Sequence, residues 1–305
     1  MASILLTGAA GFVGRAVLAA SGTEHRWMAL DIRFPPNWSP GTAVTESATS
    51  DLSDPIALLS LVERVQPQAV VHLAGWTGKG SSAENRSRLL EANLVSTWNL
   101  LEAIASWRPE HPVQFVLASS ALVYGDQPGP FMESMATRPS DEYAMTKWLA
   151  EEAVRAYGRR GIVLPTVVRP SVIYGPGQSG TMFVPSLARA LAAGTPFPMT
   201  AGAQKRDMVH VADAARAILS LVRSRTEGVF NVGTGVGVSM LDIGRKMARM
   251  ADHPDLLRPG EIPYRENEVW DYAVDASRLT TTTGWTSLAG LDDGLAETLE
   301  KEKNP

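Results

Sequence analysis

The stretch Ser3-Ile4-Leu5-Leu6-Thr7-Gly8-Ala9-Ala10-Gly11-Phe12-Val13-Gly14 stands at the start of the chain and decides its fold. Its first five residues form a short apolar run typical of a buried strand, and helix-forming residues resume from Arg15 to Ala20. The glycines between them allow backbone amides to approach a phosphate at the N-terminus of the helix, where the helix dipole favours negative charge. The stretch therefore predicts a strand, a glycine turn and a helix, although a purely structural tight turn would show the same residues.

An acidic residue, Asp31, follows the second predicted strand, which runs from Trp27 to Leu30. A carboxylate about 20 residues beyond the glycines can accept hydrogen bonds from the ribose hydroxyls of an adenosine and repel a 2'-phosphate. This position favours NAD over NADP as a ligand. Arg33 lies close enough to keep NADP open as an alternative, and Asp31 could also be an exposed carboxylate at a strand end.

Strands and helices alternate along the first half of the chain. Ala69 to Leu73 and Gln114 to Ala118 are continuous apolar runs of the kind that is buried on both faces of a parallel sheet. Helices are predicted from about Glu84 to Trp107 and from Tyr143 to about Arg159. This order predicts an α/β fold with a doubly wound parallel sheet of the Rossmann type and right-handed crossovers.

The composition of the sequence changes near Ser171, where glycines and prolines become frequent. We expect a dinucleotide-binding Rossmann domain over residues 1–170, rejoined by about 206–235, and a smaller C-terminal substrate-binding lobe over residues 171–305. The segment Val229 to Gly233 has the apolar pattern of one more strand, which could rejoin the main sheet.

Composition and charge exclude several classes of function. The net charge of −4 and the lack of a basic run argue against a nucleic-acid partner. The chain has no cysteine, which removes disulfides, thiol nucleophiles and cysteine-bound metal and fits a cytoplasmic protein. No apolar run approaches the length of about 18 residues that a membrane span needs. The histidines are scattered, so no metal site is predicted, and His72 at a strand end is predicted to be a core histidine with satisfied hydrogen bonds.

Tyr143 and Lys147 are the candidate catalytic pair. If Ser140 or Asp141 caps the helix that follows, the two side chains stand at i and i+4 and share one helix face. A nearby cation favours the ionised form of a phenol, whose pKa is otherwise about 10, and a tyrosine poised in this way can exchange a proton with a hydroxyl group. The pair alone is also compatible with a packed aromatic residue beside a solvated lysine.

These features together resemble the extended short-chain dehydrogenase/reductase family, in its branch of NAD-dependent epimerases and dehydratases that act on nucleotide sugars. The resemblance covers nearly the whole chain. The motifs that carry it are Gly8-x-x-Gly11-x-x-Gly14, Asp31, Asp51-Leu52, His72-Leu73-Ala74-Gly75, Asn93, Ser119 to Gly125, Tyr143-x-x-x-Lys147, Arg169-Pro170, Tyr174 to Pro176, Arg206 to Val211 and Asn231 to Gly235.

The resemblance implies roles for the residues of these motifs. Tyr143 would be the general acid/base, Lys147 would hold the nicotinamide ribose and lower the pKa of the tyrosine, and Ser120 would bind the reacting oxygen. The cofactor-binding residues implied in the same way are Gly8, Gly11, Phe12, Val13, Gly14, Asp31, Asp51, Leu52, Leu73, Ala74, Gly75, Asn93, Ser119, Tyr143 and Lys147. Ser119 and Ser120 could instead be a strand-end pair that bonds its own backbone.

The resemblance also suggests a substrate. Arg206 and Arg265 resemble the arginines that contact a nucleotide diphosphate, which requires charge-assisted donors, and Ser120 would also bind the substrate. Two departures weaken this assignment, because Val172 stands where asparagine is common and Thr200 to Gln204 lacks the usual Gly-Asp-Gly. Both arginines could instead be surface residues in ion pairs with Asp207 or Glu268.

Ala121 and Leu122 bear on the reaction type, because family 4,6-dehydratases carry an acid pair directly after the catalytic hydroxyl and neither residue is acidic. Dehydration is therefore not expected. Because Asp31 favours NAD, we expect a nucleotide-sugar 4-epimerase. Val172 and the segment around Thr200 favour the first alternative, an NAD(P)H-dependent ketoreductase or dehydrogenase of a nucleotide-linked keto-sugar or other small alcohol. The second alternative is a non-catalytic dinucleotide-sensing protein. The helices that carry Trp98, Trp107, Trp148 and Leu149 correspond to those that pair in family dimers, which implies a homodimer.

Overall fold

The fold is known from a computed structural model, which describes residues 1–39, 41–78, 82–178, 181–265 and 268–303. The strands are β1 (Ser3–Thr7), β2 (Arg26–Asp31), β3 (Val44–Thr49), β4 (Ala69–His72), β5 (Val113–Ala118), β6 (Val163–Pro170), β7 (Val172–Tyr174), β8 (Phe197–Met199), β9 (Lys205–His210), β10 (Gly228–Val232), β11 (Gly237–Ser239), β12 (Leu257–Pro259) and β13 (Asp271–Tyr272). The helices are α1 (Phe12–Ala20), α2 (Pro55–Val65), α3 (Ala83–Leu89), α4 (Ser96–Trp107), α5 (Glu142–Arg159), α6 (Phe183–Ala192), α7 (Val211–Ser224), α8 (Met240–Met250), α9 (Ser277–Thr283) and α10 (Leu291–Lys303).

A seven-stranded parallel sheet in the order β10-β6-β5-β4-β1-β2-β3 forms the centre of the molecule. Alternate residues of β1 enter two different apolar clusters: Ile4 and Leu6 pack on one face with residues of α1 and α7, and Leu5 packs on the other with residues of α2, α4 and α5. Helices therefore cover both faces of the sheet. The predicted doubly wound Rossmann-type α/β fold is confirmed.

The order of the strands places a crevice beside β1. The chain runs from β1 to β2 and β3 on one side, and then returns to place β4 on the other side of β1. At such a switch point the connections after the two neighbouring strands diverge, and ligands bind at the carboxyl ends of the strands. The glycine turn after β1 and the segment Leu73 to Gly75 after β4 therefore lie at the same edge of the sheet.

The remaining strands pair with one another outside the main sheet. Strand β9 pairs with β7, β11 and β13, while β8 pairs with β12. A separate apolar cluster joins residues of α6, α8 and α10, among them Leu187, Ile243 and Leu295. The predicted late strand is present as β10, which pairs in parallel with β6 at the end of the main sheet.

Helix α3 continues through a π-helical segment, Leu90–Val95, into α4. The sequence predicts one long helix here, and the π-helical turn within it was not predicted. Such turns insert an extra residue into an α-helix and are frequent at functional sites.

Two glycines of the first turn are required by close packing. Gly8 has φ of +70°, and a Cβ on it would lie 2.7 Å from the backbone nitrogen of Ala74. A Cβ on Gly14 would lie 2.1 Å from the carbonyl oxygen of Gly8. The turn can therefore lie against the segment after β4 only because Gly8 has no side chain, and it can close onto α1 only because Gly14 has none.

Replacing Gly14 with alanine is expected to lower the free energy of unfolding by about 1–3 kcal/mol, the usual cost of overpacking. Gly22→Ala is the matched control, since a Cβ there meets no heavy atom within 4 Å. Urea unfolding of the two variants and the parent protein checks this. If both variants were equally stable, the turn would have room for a Cβ at Gly14, and the proposed clash would be wrong.

Candidate active site

A cavity of about 620 Å³ lies at the switch point. Eight of the residues that the sequence predicts to bind the cofactor line this cavity: Gly8, Gly11, Asp31, Asp51, Leu52, Leu73, Ala74 and Gly75. Arg33, Trp76, Arg88 and Glu91 also line it, and of these only Arg33 was considered from the sequence. An open glycine turn at a helix N-terminus, a carboxylate at the next strand end and an apolar wall at Leu52 fit a dinucleotide.

Asp31 connects the second strand to the glycine turn. Its Oδ2 accepts a hydrogen bond of 2.9 Å from the backbone nitrogen of Ala10, and its Oδ1 accepts one of 3.3 Å from the backbone nitrogen of Arg33. Both bonds hold the carboxylate at the wall of the cavity. A carboxylate fixed there disfavours a ligand with an additional phosphate on its ribose.

Other residues predicted to bind the cofactor lie outside the cavity lining. Phe12, Val13 and Gly14 form the first turn of α1, where Val13 packs against the apolar core. Ser119 follows β5, and its hydroxyl donates a hydrogen bond of 2.6 Å to the buried carboxylate of Glu151. Their assignment to the cofactor stays a prediction.

Asn93 lies in the π-helical segment and fixes the wall of the cavity from behind. It is 1% exposed. Its Oδ1 accepts from the backbone nitrogen of Trp76 at 2.9 Å, and its Nδ2 donates to the carbonyl oxygen of Trp76 at 3.0 Å and to Oγ1 of Thr146 at 3.0 Å. A Cβ on Gly75 would lie 2.7 Å from Oδ1 of Asn93, so the close approach requires glycine. Asn93 therefore joins the wall to α5.

Helix α5 begins as predicted, since Asp141 accepts a hydrogen bond of 2.7 Å from the backbone nitrogen of Ala144. Lys147 is 5% exposed, and its Nζ lies 3.7 Å from the position of a Cβ on Gly75. Burial lowers the pKa of Lys147 to about 8, and the charge of Glu151 opposes this change. The ammonium group therefore stands beside the cavity wall and is mostly charged at neutral pH.

His72 lies under the lysine at the end of β4. Its ring nitrogens are hydrogen-bonded to Thr7 Oγ1 at 2.7 Å and to Thr97 Oγ1 at 3.0 Å. Burial, with a further contribution from the charge of Lys147, lowers the pKa of His72 to about 3. The ring is neutral at physiological pH, and the prediction of a satisfied core histidine is confirmed.

The expected lowering of the Tyr143 pKa is not observed in the protein by itself. Burial raises the pKa of Tyr143 to about 12, the charge of Asp141 adds to the rise, and a hydrogen bond with Ser120 opposes it. The prediction that Lys147 lowers this pKa was wrong in direction, because removal of the phenol from water dominates its ionisation here and Lys147 is not among the groups that shift it. A phenolate at this position would require additional positive charge in the cavity.

Ser120 is the point where three side chains meet. Its Oγ accepts a hydrogen bond of 3.2 Å from the backbone nitrogen of Leu122, so the strand-end role considered from the sequence is present. The same hydroxyl is also close enough to the phenols of Tyr143 and Tyr272 to lower the pKa of each, against the larger effect of burial. Tyr272 was not predicted, because it lies in the short strand β13, 129 residues beyond Tyr143 in the sequence, and no motif marks it.

Glu151, one turn beyond Lys147, is the centre of a buried ionic network. The residue is completely buried and receives hydrogen bonds from Ser119, from Nε and NH2 of Arg169 at 2.9 and 2.6 Å, and from Arg155 at 2.9 Å. Arg169 is 2% exposed and stacks on Tyr124, with its Cζ 4.7 Å from the ring centroid. This network fixes the end of β5 against α5.

The residues predicted to bind the substrate differ in their contacts with the site. Arg206 pairs with Glu268, as the alternative from the sequence allowed, and its guanidinium carbon lies 5.8 Å from the centroid of the Tyr272 ring. Val172 packs against the apolar cluster that contains Ala121 and Tyr272. Arg265 is exposed, and within the described part of the chain no hydrogen bond or ion pair joins it to the residues around Ser120.

The described ranges contain neither a cluster of metal-binding side chains nor a membrane-spanning helix. No group of three or more histidine, aspartate or glutamate side chains there could hold a metal ion. No helix in those ranges has the length and apolar character that crossing a bilayer requires.

Glu151→Ala is expected to cost about 3–5 kcal/mol of stability, because it leaves Arg169 buried without its partner. The matched control is Glu152→Ala, which removes the other acidic partner of Arg155, a carboxylate that is 42% exposed. That change should cost about 0–1 kcal/mol, as is usual for surface pairs. Urea unfolding tests both, and equal losses would contradict the importance of the buried pair.

Asp31→Ala should narrow the difference between the dissociation constants of NAD and NADP, because it removes the carboxylate that repels a 2'-phosphate. Calorimetric titration with each dinucleotide measures the ratio. Asp54→Ala is a control that removes an exposed carboxylate from the cap of α2. A parent protein that binds NADP more tightly than NAD would refute this account of Asp31.

Proteins of known activity or structure resemble this chain along nearly all of its length. The model of the NAD dependent epimerase/dehydratase family matches residues 4–233. The dTDP-glucose 4,6-dehydratase of Salmonella typhimurium is 29% identical over 97% of this chain and 91% of the relative. MoeE5, solved in complex with UDP-glucose and NAD, is 31% identical with a TM-score of 0.85 and 98% of each chain covered. The Thermus thermophilus UDP-glucose 4-epimerase, solved with NAD, is 26% identical with a TM-score of 0.87 and 99% of each chain covered. With a match over three quarters of its length, the chain belongs to the NAD-dependent epimerase/dehydratase family.

Proposed function

We propose that this protein is a nucleotide-sugar 4-epimerase that uses NAD. The observation that carries the proposal is the group formed by Ser120, Tyr143 and Lys147 at the carboxyl edge of the sheet, beside the cavity that fits a dinucleotide. A hydroxyl, a phenol and an ammonium group in this arrangement can bind a sugar hydroxyl and exchange its proton.

The protein residues have separate tasks in this proposal. Ser120 and Tyr143 bind the hydroxyl on the reacting carbon, and Tyr143 takes its proton and later returns it. Bound NAD would supply an acceptor for the hydride of the same carbon and would return that hydride to the opposite face. Lys147 places its positive charge beside the cavity wall at Gly75, where it would bind the cofactor. A cationic ligand in the cavity would lower the Tyr143 pKa from the high value that burial gives it.

Epimerisation is favoured over dehydration by the residues that follow Ser120. Dehydration requires one group to protonate a departing hydroxyl and another to remove a proton from carbon. Ala121 is completely buried in an apolar cluster, and Leu122 packs against the same cluster. Neither side chain can exchange a proton, although dehydratases are prominent among the relatives.

A ketoreductase is the second candidate, and Val172 is the observation that favours it. The side chain packs among apolar residues beside Tyr272 and offers no hydrogen bond to a sugar or a phosphate. A substrate smaller and less polar than a nucleotide sugar would suit such a wall.

Arg206 supports a nucleotide-linked substrate. Its guanidinium group lies over Tyr272, whose phenol is close enough to Ser120 for that hydroxyl to lower its pKa, so a positive charge stands near the proposed reaction centre. The pairing with Glu268 holds the group in place but also competes with a diphosphate for its donors. MoeE5, the relative solved with UDP-glucose, makes UDP-linked hexoses the first substrates to test.

We also propose the division of labour expected from the sequence, in which residues 1–170 and about 206–235 hold the cofactor and residues 171–305 supply the substrate lobe. The pairing of β10 with β6 and the separate cluster of α6, α8 and α10 support it. A homodimer through α4 and α5 is proposed as well, since Trp98 and Met145 expose 52% and 41% of their surface there.

One experiment separates the candidate reactions. The protein is incubated in D₂O with NAD and UDP- or dTDP-linked hexoses, and the products are analysed by mass spectrometry and NMR. Epimerisation gives a C4 isomer without deuterium bound to carbon, because the hydride returns internally. Dehydration loses one water, and a ketoreductase shows turnover only with NAD(P)H and a keto-sugar. Either of those results would refute the epimerase, and cofactor binding without any product would indicate a sensing protein.

Tyr143→Phe is expected to lower turnover by at least about a hundredfold, the usual contribution of a general acid/base. Binding of NAD should change little, because the ring is kept and only the hydroxyl is lost. Steady-state kinetics and calorimetry measure the two quantities. Tyr157→Phe, which removes a phenol near the other end of α5, is the control. Full activity of Tyr143→Phe would exclude the proposed proton transfer.

A further inference from the structure

Trp76 and Arg88 form a pair at the wall of the cavity that has no assigned role. The guanidinium carbon of Arg88 lies 4.3 Å from the centroid of the Trp76 ring. Both residues line the 620 Å³ cavity together with the glycine turn and Asp31. Arg88 belongs to α3, and Trp76 follows β4, so the pair connects two elements across the cavity wall.

The position of Trp76 is firmly set. Its backbone nitrogen and carbonyl oxygen are both bonded to the side-chain amide of the buried Asn93. The far edge of its ring packs against Gly78, where a Cβ would lie 2.1 Å from the ring. Because Asn93 also bonds Thr146, the residue before Lys147, the backbone of Trp76 is connected to the helix that carries the proposed catalytic pair.

Arg88 offers its charge to the cavity. It is exposed, and it takes part in no salt bridge among the residues that the structure describes. The stack on Trp76 uses the face of the guanidinium plane and leaves the N–H donors around its edge available. The edge of a stacked guanidinium is suited to paired hydrogen bonds with phosphate oxygens.

The acidic residues of the cavity lining outnumber the basic ones, so a free cation matters for the binding of a phosphate there. Asp31, Asp51 and Glu91 are acidic, whereas Arg33 and Arg88 are the basic residues of the lining. A dinucleotide brings two more negative charges in its diphosphate. The amides of the glycine turn offer only partial charges, and Arg33 stands at the Asp31 end, where the carboxylate is fixed.

We propose that Trp76 and Arg88 form a clamp that holds the diphosphate of the dinucleotide, with Trp76 fixing the guanidinium plane and Arg88 supplying the charge-assisted hydrogen bonds. The clamp would keep the cofactor bound between the two halves of a reaction. An epimerase needs such retention because the hydride it removes must be returned. This role deepens the proposed function, but it concerns the binding of the cofactor alone.

The test is calorimetric titration of the full chain, freed of co-purified cofactor, with NAD, ADP and adenosine. Arg88→Ala should raise the dissociation constants of NAD and ADP about tenfold or more, the usual effect of losing a charge-assisted hydrogen bond, and should change that of adenosine less than about twofold. Arg86→Ala, on the same helix but outside the cavity lining, is the matched control and should leave all three within about twofold.

Two conservative variants separate charge from shape. Arg88→Lys keeps the charge but loses the planar fork, so it should recover only part of the affinity for NAD. Trp76→Phe keeps an aromatic face and should weaken NAD less than Trp76→Ala does. Arg88 is exposed, and an unchanged melting temperature confirms that its variants are folded.

Three results would overturn the clamp. The first is an Arg88→Ala variant that binds NAD as tightly as Arg86→Ala does. The second is an Arg88→Ala variant in which binding of adenosine is weakened as much as binding of ADP. The third is a Trp76→Ala variant with unchanged affinity for NAD. All of these are measured without a sugar. If the protein does not epimerise sugars but Arg88→Ala still weakens the binding of NAD, only the proposed reaction is refuted. If the protein epimerises sugars but Arg88→Ala leaves the binding of NAD unchanged, only the clamp is refuted.

Discussion

The buried ion pair between Glu151 and Arg169 is the constraint on which the site depends. Helix α5 places Tyr143, Lys147 and Glu151 at successive turns of one face, and each of these polar groups is removed from water to a large extent. Burying a charge is costly unless a partner and hydrogen bonds compensate for it. Glu151 obtains both from Arg169, Arg155 and Ser119. Its negative charge in turn opposes the loss of the Lys147 proton that burial favours.

This network sets the geometry of the whole edge of the sheet. Ser119 is held by Glu151, so its neighbour Ser120 stands where Tyr143 and Tyr272 can share its hydroxyl. On the other side of Lys147, Thr146 bonds Asn93, and Asn93 holds the backbone of Trp76 at the cavity. One helix therefore positions the groups proposed for proton transfer and part of the wall that would hold the cofactor. Burial in this setting raises the pKa of the Tyr143 phenol, so the proposed proton transfer requires a positive charge close to it.

The fold could be predicted from the sequence largely because its signals are local. The glycine turn, the acid after β2 and the cap of α5 each depend on residues within a few positions of one another, and the structure shows all three. The contacts made by Tyr272, Arg169 and Trp76 join residues far apart in the chain, and one sequence contains no signal for such pairings. The ionisation of Tyr143 was predicted in the wrong direction, since helical spacing shows a neighbouring cation but not the burial that outweighs it. The pairing of Arg206 with Glu268 was among the alternatives, but the residue types alone could not decide it.

The central claim is that the hydroxyl of one sugar carbon is held by Ser120 and Tyr143 while Lys147 stands at the cofactor. A crystal structure of the protein with NAD and an unreactive deoxyfluoro or inhibitor form of a UDP-hexose tests it most directly. The account predicts that Tyr143 Oη and Ser120 Oγ both lie about 2.6–3.2 Å from the substituent on the reacting carbon. It also predicts that Lys147 Nζ contacts the cofactor in the cavity beside Gly75. A sugar bound away from Tyr143, or a lysine that contacts neither the phenol nor the cofactor, would contradict it.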